Sequence, residues 1–420
     1  MRSDSSGDGI APAGSTADVG ARLTRWKAGF LFLLAAVLVA GFAVMVWIVV
    51  DEVQTSRYQA RRLAAFDRKL QFALHPGSSD AIRFPGSGPY DQRLGYHPLP
   101  RFLERLTAQD WQITEQARMS TDLVGVIDHG LFAPYAEKNQ AGFELLDCRA
   151  EPFFSVRMPQ QVYGRFEAIP PRIVNALLFI EDRDLLDAQQ SRRNPAVNWS
   201  RFARALVDQV RGWMDPDHHT PGGSTLATQI EKFRHSPGGR TESAQDKWFQ
   251  MASASLRAYI DGEHTLSRRR QIVVNYLDTV PLAARPGIGE IHGLGDALAA
   301  WYGRDFEEVN ALLIAEADDA KAPAGMLVRQ ALAFKQVLSL LIAQRRPSYY
   351  LAQAAGRADL TDLANAHLRL LSDAGVISPA LRAVQADQAG GKEIERGGCR
   401  ASQESEEKNV HSFAFPFPRF

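Results

Sequence analysis

Five short blocks between residues 179 and 304 hold side chains whose types and spacing could do chemistry. The first is Phe179-Ile180-Glu181-Asp182-Arg183, a carboxylate pair where an apolar run meets a polar loop. A carboxylate partly withdrawn from water there suits a base that takes a proton from a sugar hydroxyl. The plainer reading is a helix end facing solvent. The second block runs from Pro221 through Gly222-Gly223-Ser224-Thr225 to Gln229 and Lys232. A glycine pair opening a helix leaves backbone N–H groups beside Ser and Thr hydroxyls, an anion site suited to a diphosphate, with Lys232 as an added cation. The plainer reading is a turn with an ordinary N-cap. The third block places Arg240, Lys247, Gln250 and Arg257 in order, with Lys247 and Gln250 three apart and so on one helix face. Basic groups there either neutralise a diphosphate leaving group or make a solvated face. The fourth block, Ser267 to Asp278, and the fifth, Gly293 to Arg304, read as packing elements.

Helices must hold these blocks. Pro171 fits the first position of a helix carrying Ile173, Leu177 and Ile180 on one face. Trp199, Phe202, Leu206, Val210 and Trp213 mark a second amphipathic helix. Ser243, with Asp246 three residues on, resembles a capping box for a helix running to about Ile260. Ile272, Tyr276 and Val280 continue the helical period, Gly303 falls where a left-handed helix-ending residue belongs, and Asp305 caps a helix from Phe306. Ser378-Pro379 reads as an N-cap and first-turn pair. Helical character thus runs from about 168 to 385. Ahead of it, over about 75–165, Gly and Pro punctuate short apolar runs, of which Val124–Ile127 and Phe153–Val156 suit strands. Residues 51–70 read as the charged continuation of a preceding helix.

That preceding helix is the apolar segment Ala28 to Val50, which has no charged side chain. At ~1.5 Å per residue it is roughly 34 Å long, enough to span a bilayer core and longer than a signal-peptide apolar region. Arg22, Arg25 and Lys27 precede it, and Arg57, Arg61, Arg62, Arg68 and Lys69 follow, so charge counting does not orient the span. Residues 1–27 read as a disordered tail, and 389–420 as a disordered or truncated one. Lys+Arg and Asp+Glu both total 48, and this zero net charge argues against non-specific nucleic-acid binding. Cys148 and Cys399 make no disulfide framework, and Asp217-His218-His219 reads as a surface loop, so no metal-ligand set is expected.

In order and spacing the five blocks resemble the family 51 glycosyltransferases, the transglycosylase domains of penicillin-binding proteins and monofunctional peptidoglycan polymerases. The family pattern runs Glu-Asp-x-x-Phe, Gly-Gly-Ser-Thr-Ile-Thr-Gln-Gln, Arg-Lys-x-x-Glu, Ile-Leu-Glu-x-Tyr-Leu-Asn and Gly-x-x-x-Ala-x-x-Tyr-Phe-Gly. The resemblance covers roughly 165–325. It implies a mainly α, lysozyme-like transglycosylase domain over 166–345, followed by C-terminal helices over 346–388. A single N-terminal transmembrane helix over 28–50 and a small α+β stalk over 51–165 precede the domain. The implied place is the bacterial inner membrane, with the domain on the outer face and the N-terminal tail in the cytoplasm. The implied reaction joins lipid II units into β-1,4 glycan strands, inverting the anomeric carbon and releasing undecaprenyl diphosphate. Lipid II, the growing strand, membrane lipid and other cell-wall synthesis proteins are the implied partners. Mg2+ or Mn2+ is the one cofactor left open. Matched residue by residue, Glu181 would deprotonate the acceptor 4-hydroxyl, and Gln250 stands at the second acidic position of the catalytic machinery. Asp182, Gly223, Ser224, Thr225, Gln229, Lys232, Arg240 and Lys247 fall at substrate-binding positions. The segment between the first two blocks is a membrane-dipping jaw in the family, which Trp213-Met214 would suit.

The departures are specific. Gln250 replaces a glutamate, Thr228 the first motif glutamine, Val274 a glutamate and Asp278 an asparagine. The histidine usual after Glu-Asp is absent, and a longer loop carries Arg192, Arg193 and Asn194. Those arginines read as a solvated loop or as substitutes for lost diphosphate contacts. Ser405-Glu406-Glu407-Lys408 lacks the partner motifs of a penicillin-binding half. A second reading follows, a non-catalytic lipid II- or glycan-binding scaffold of the same fold. A third, a lysozyme-like hydrolase, explains neither the anchor nor the diphosphate-suited cleft. On sequence alone, Gln250→Glu is expected to raise polymerase activity or leave it unchanged.

Overall fold

The computed structural model describes residues 16–86, 88–199, 224–314 and 323–382. Gly222-Gly223, the helix expected over 202–213, the Trp213-Met214 jaw, the Asp217-His218-His219 cluster and the 389–420 tail lie outside them. The chain divides into two units, 1–56 and 57–420.

The described residues of the first unit form one helix, α1 (Thr16–Thr55). Its stretch Phe30–Thr55 is 26 residues long, and the most apolar 18-residue window in it has mean hydropathy 2.9 and no buried residue. At ~1.5 Å per residue the stretch is roughly 39 Å, longer than the ~30 Å bilayer core. From Phe30 to Val50 the helix is apolar on every face, which suits an apolar surround, and it is long enough to cross a membrane. Residues 16–27, expected within a disordered tail, are helical. The charged continuation expected over 51–70 is not one helix with it. α1 ends at Thr55, Ser56 takes a left-handed φ of 51°, and α2 (Arg57–Asp67) begins afresh.

The second unit opens with small elements. β1 (Phe72–Pro76) pairs antiparallel with β2 (Glu115–Met119), with α3 (Pro89–Arg93) and α4 (Leu99–Thr107) between them. The Val124–Ile127 run, expected as a strand, lies in α5 (Thr121–Asp128). The Ser120 hydroxyl accepts from Leu123 N–H as an N-cap, and the buried side chains, Leu123 and Val126, are three apart, the helical rather than the strand period. Phe153–Val156 does form a strand, in the hairpin of β3 (Ala141–Leu146) and β4 (Pro152–Met158).

The remainder is mainly helical around one core. In order come α6 (Pro171–Glu181), α7 (Leu226–His235), α8 (Ala244–Ala258) and α9 (Leu266–Thr279). A short hairpin follows, β5 (Pro281–Arg285) with β6 (Gly289–His292). Then come α10 (Leu294–Tyr302), α11 (Phe306–Ile314), α12 (Ala324–Ala343), α13 (Pro347–Ala352) and α14 (Ala354–Asp373). α12 is long and apolar enough to pass for a span, but two-thirds of it is buried, and Phe334, Val337 and Leu338 are wholly enclosed. It is the core helix. Ile173 and Leu177 of α6, Leu226 of α7, Val273 and Leu277 of α9 and Leu298 of α10 join the same core. Each such side chain stabilises the fold by about 1.5–3 kcal/mol. Several local signals act as the sequence indicates. Ser243 and Asp246 close a capping box on α8, Gly303 ends α10 at φ 61°, and Asp305 Oδ1 accepts from Glu308 N–H at 2.8 Å.

Candidate active site

α6 delivers Glu181. The helix is anchored by its buried apolar face and stops at Glu181, because Asp182 turns to an extended backbone. A carboxylate at a helix C-terminus is disfavoured by the macrodipole. Two amides offset this. Gln229 Nε2 donates to Glu181 Oε2 at 2.9 Å, and Gln344 Nε2 donates to Oε1 at 3.0 Å. Arg345 lies 4.0 Å from the same Oε1. The two amides, one on each oxygen, fix the plane of the carboxylate.

Gln229 is placed by α7. Thr225 caps this helix, with Thr228 N–H donating to Thr225 Oγ1 and Thr225 N–H donating to Thr228 Oγ1 at 2.9 Å. Thr228, the departure from the motif glutamine, therefore closes a capping box. The Tyr276 hydroxyl of α9 makes a weak 3.5 Å bond to Gln229 Oε1, which turns the amide's donor end toward Glu181. Lys232 is three residues beyond Gln229 and shares its face. Lys247 on α8 donates to Ser224 Oγ at 2.6 Å. Burial lowers the pKa of both lysines. The Glu181 charge opposes that for Lys232, while the Lys232 charge adds to it for Lys247. Neither lysine has an ion-pair partner among the described residues. One clamped carboxylate thus lies near two half-buried lysines that have no ion-pair partner among the described residues, an arrangement that could hold an anion beside a base.

The family model described as Transglycosylase matches residues 151–368, more than half of the chain and every group of this site. This chain belongs to the family 51 transglycosylases. No curated protein matches it.

In this transglycosylase the residues singled out from sequence divide. Glu181, Ser224, Gln229, Lys232 and Lys247 come together. Asp182 is buried and faces Arg193 at 3.7 Å, and the Thr225 hydroxyl is occupied by its cap. Arg240 is exposed, with no side-chain partner among the described residues, and Gly223 lies outside them. Gln250, expected in the catalytic machinery, is fully enclosed. Its Nε2 donates to Ser236 Oγ at 3.0 Å and Thr241 Oγ1 at 2.9 Å, which ties α8 to the 236–241 turn. An enclosed side chain cannot touch substrate in this conformation, and what Gln250 does here is hold the 236–241 turn against α8. Gln250→Glu is accordingly expected to lower stability by about 1–3 kcal/mol rather than to raise activity, because no cation is among its bonding partners. A thermal melt checks this. The two loop arginines are tied within the protein rather than offered to a ligand. Arg193 pairs with Asp182 and Asp184, and Arg192 with Glu263 at 3.3 Å. Val274 is core, and Asp278 accepts from Tyr163 N–H at 2.8 Å and Asn139 Nδ2 at 2.9 Å.

Gln344 was not legible as a site residue. It follows the core helix α12, 163 positions from Glu181, with no motif around it. Gln344→Ala removes one charge-assisted bond, and a roughly 10- to 100-fold lower kcat with little change in KM is expected. Gln344→Glu, which sets a second carboxylate against Glu181, is expected to lose more. Steady-state kinetics separate these outcomes.

Behind the cleft lies a buried ion network. Arg234 of α7 donates to Glu137 Oε2 at 2.8 Å, and Arg257 of α8 and His235 lie 3.0 and 2.8 Å from Oε1. Arg257 also pairs with Glu231 at 2.8 Å, and His235 with Asp91 at 3.1 Å. Arg257, a candidate for the leaving group on sequence, belongs here instead.

Proposed function

We propose that this transglycosylase polymerises lipid II into β-1,4-linked glycan strands. The observation that carries the reading is the amide-clamped Glu181 beside Lys232 and Lys247, which have no ion-pair partner among the described residues. Glu181 takes the proton of the acceptor 4-hydroxyl as that oxygen attacks the anomeric carbon of the donor strand. The bond from that carbon to the diphosphate oxygen breaks on the opposite face, so the configuration inverts. Undecaprenyl diphosphate leaves with the electron pair, and Lys232 and Lys247 meet its charge. The span Phe30–Thr55 supports anchoring beside a membrane-bound substrate, and the inner membrane with the domain on its outer face is the location that fits lipid II. Among the described residues no group of His, Cys, Asp or Glu side chains is arranged to hold a metal ion, and Glu181 and Asp182 already face amides and Arg193. These donors do not fit an Mg2+ or Mn2+ ion.

The test is purified full-length protein with labelled lipid II, analysed for polymer, with Glu181→Gln in parallel. Polymer that vanishes in the variant supports the reading. Binding without polymer leaves a scaffold, and cleavage of preformed strands makes the chain a hydrolase.

A further inference from the structure

A cavity of about 940 Å3 lies between the 93–96 turn, the 137–140 loop and the β3–β4 hairpin, with Gln271 of α9 also lining it. None of Glu181, Gln229, Lys232 or Lys247 lines it. Three cations do: Arg93, Lys138 and Arg157. None has an ion-pair partner among the described residues. Arg93 is half-buried, and burial lowers its pKa, with only partial compensation from the exposed Glu290. Its field is felt nearby, since burial and the Arg93 charge together push the His292 imidazole down to about 3. The lining has two acids. Glu137 is ion-paired to Arg234, Arg257 and His235, which leaves Glu144 alone against three cations. Leu94, Val156, Met158 and Val162 give the walls apolar patches. β3 and β4 form a two-stranded sheet, so each keeps an outer edge within that sheet.

We propose that this cavity binds the peptide stem of a peptidoglycan strand through its carboxylates. The identity of the ligand rests on the polymerase reading. The chemistry rests on the cavity. Guanidinium forks match carboxylates in a bidentate manner, a hairpin edge accepts extended backbone, and the apolar patches suit short aliphatic side chains. The volume falls in the range of sites for compact ligands, roughly 300–1,000 Å3. A protein partner would instead call for a broader surface, about 800 Å2 on each side. The cavity gives the enzyme a hold on a strand that does not involve the diphosphate end.

The experiment titrates full-length protein with a soluble disaccharide-pentapeptide that carries no lipid or diphosphate, read by calorimetry. Saturable binding is expected, weakening with salt and lost when the carboxylates are amidated. Arg93→Gln with Arg157→Gln should weaken it at least about 10-fold. Lys138→Gln, an exposed change that spares the fold, should weaken it less, and Glu181→Gln should leave it intact. Absence of binding, binding indifferent to amidation or to the three cation variants, or a preference for an unrelated acidic peptide overturns the proposal. Lipid II turnover without muropeptide binding overturns the cavity alone. Muropeptide binding without turnover overturns the polymerase reading and leaves the cavity standing.

Discussion

Glu181→Gln is expected to lower lipid II turnover by roughly 10²- to 10⁴-fold, the usual contribution of a positioned base. The substitution keeps shape and volume and removes only the capacity to take a proton. Stability is expected to change little. The new amide meets two amide donors, from Gln229 and Gln344, and one of the three can turn its carbonyl inward to restore donor–acceptor matching. Lipid II binding should also persist, because the anion-holding groups, Lys232, Lys247 and Ser224, are untouched. A gel assay for polymer, a binding titration and a thermal melt on one preparation check all three. Undiminished turnover would remove Glu181 from the chemistry, whereas lost binding would make it a substrate contact rather than a base.

The parts of this site that sequence exposed are those carried by local pattern. Glu181 ends an apolar helix, and Thr225, Gln229 and Lys232 lie on one continuous capped helix, so their mutual placement follows from helical geometry. Legibility failed where position depends on distant packing. Gln344 reaches Glu181 only because α12 runs through the core and ends beside α6. Gln250 shares a helix face with Lys247, as its spacing requires, yet the 236–241 turn folds over it and closes it off. The Val124–Ile127 run misled because four apolar or small residues carry no period of their own, and the cap at Ser120 decided the matter. Arg257 reads from sequence as a leaving-group contact or a solvated face because a counterion, Glu137, comes from the region ahead of the motifs, as do Glu137 and Asp91 for Arg234 and His235.

That region is where the largest stability effect is expected. Glu137→Ala should destabilise the protein by about 3–5 kcal/mol, since it leaves Arg234, Arg257 and His235 buried without their shared anion. The unfolding midpoint should fall by on the order of 10 °C. Glu137→Gln, which keeps hydrogen-bonding atoms but not the charge, should fall between the two. The same network sets a pH dependence. Burial works to lower the pKa of His235, but the Glu137 charge and hydrogen bonds with Asp91 and Glu137 overcome it and raise the value to about 9. A group whose pKa is raised on folding contributes stability that is fully present below its unfolded value, near 6.5, and lost as pH rises through about 9. Wild-type stability should therefore decline across that window, and the decline should flatten in Glu137→Ala, where the main raising charge is gone. Melts at pH 6 and pH 9.5 on both proteins measure the difference, and equal slopes would show that His235 is not held protonated by Glu137. The consequence reaches the site, because Arg234 and His235 form the last turn of the helix that carries Gln229 and Lys232. Loosening that turn should lower turnover more than the loss of folded protein accounts for. Activity measured well below the melting midpoint, per folded molecule, separates the two effects.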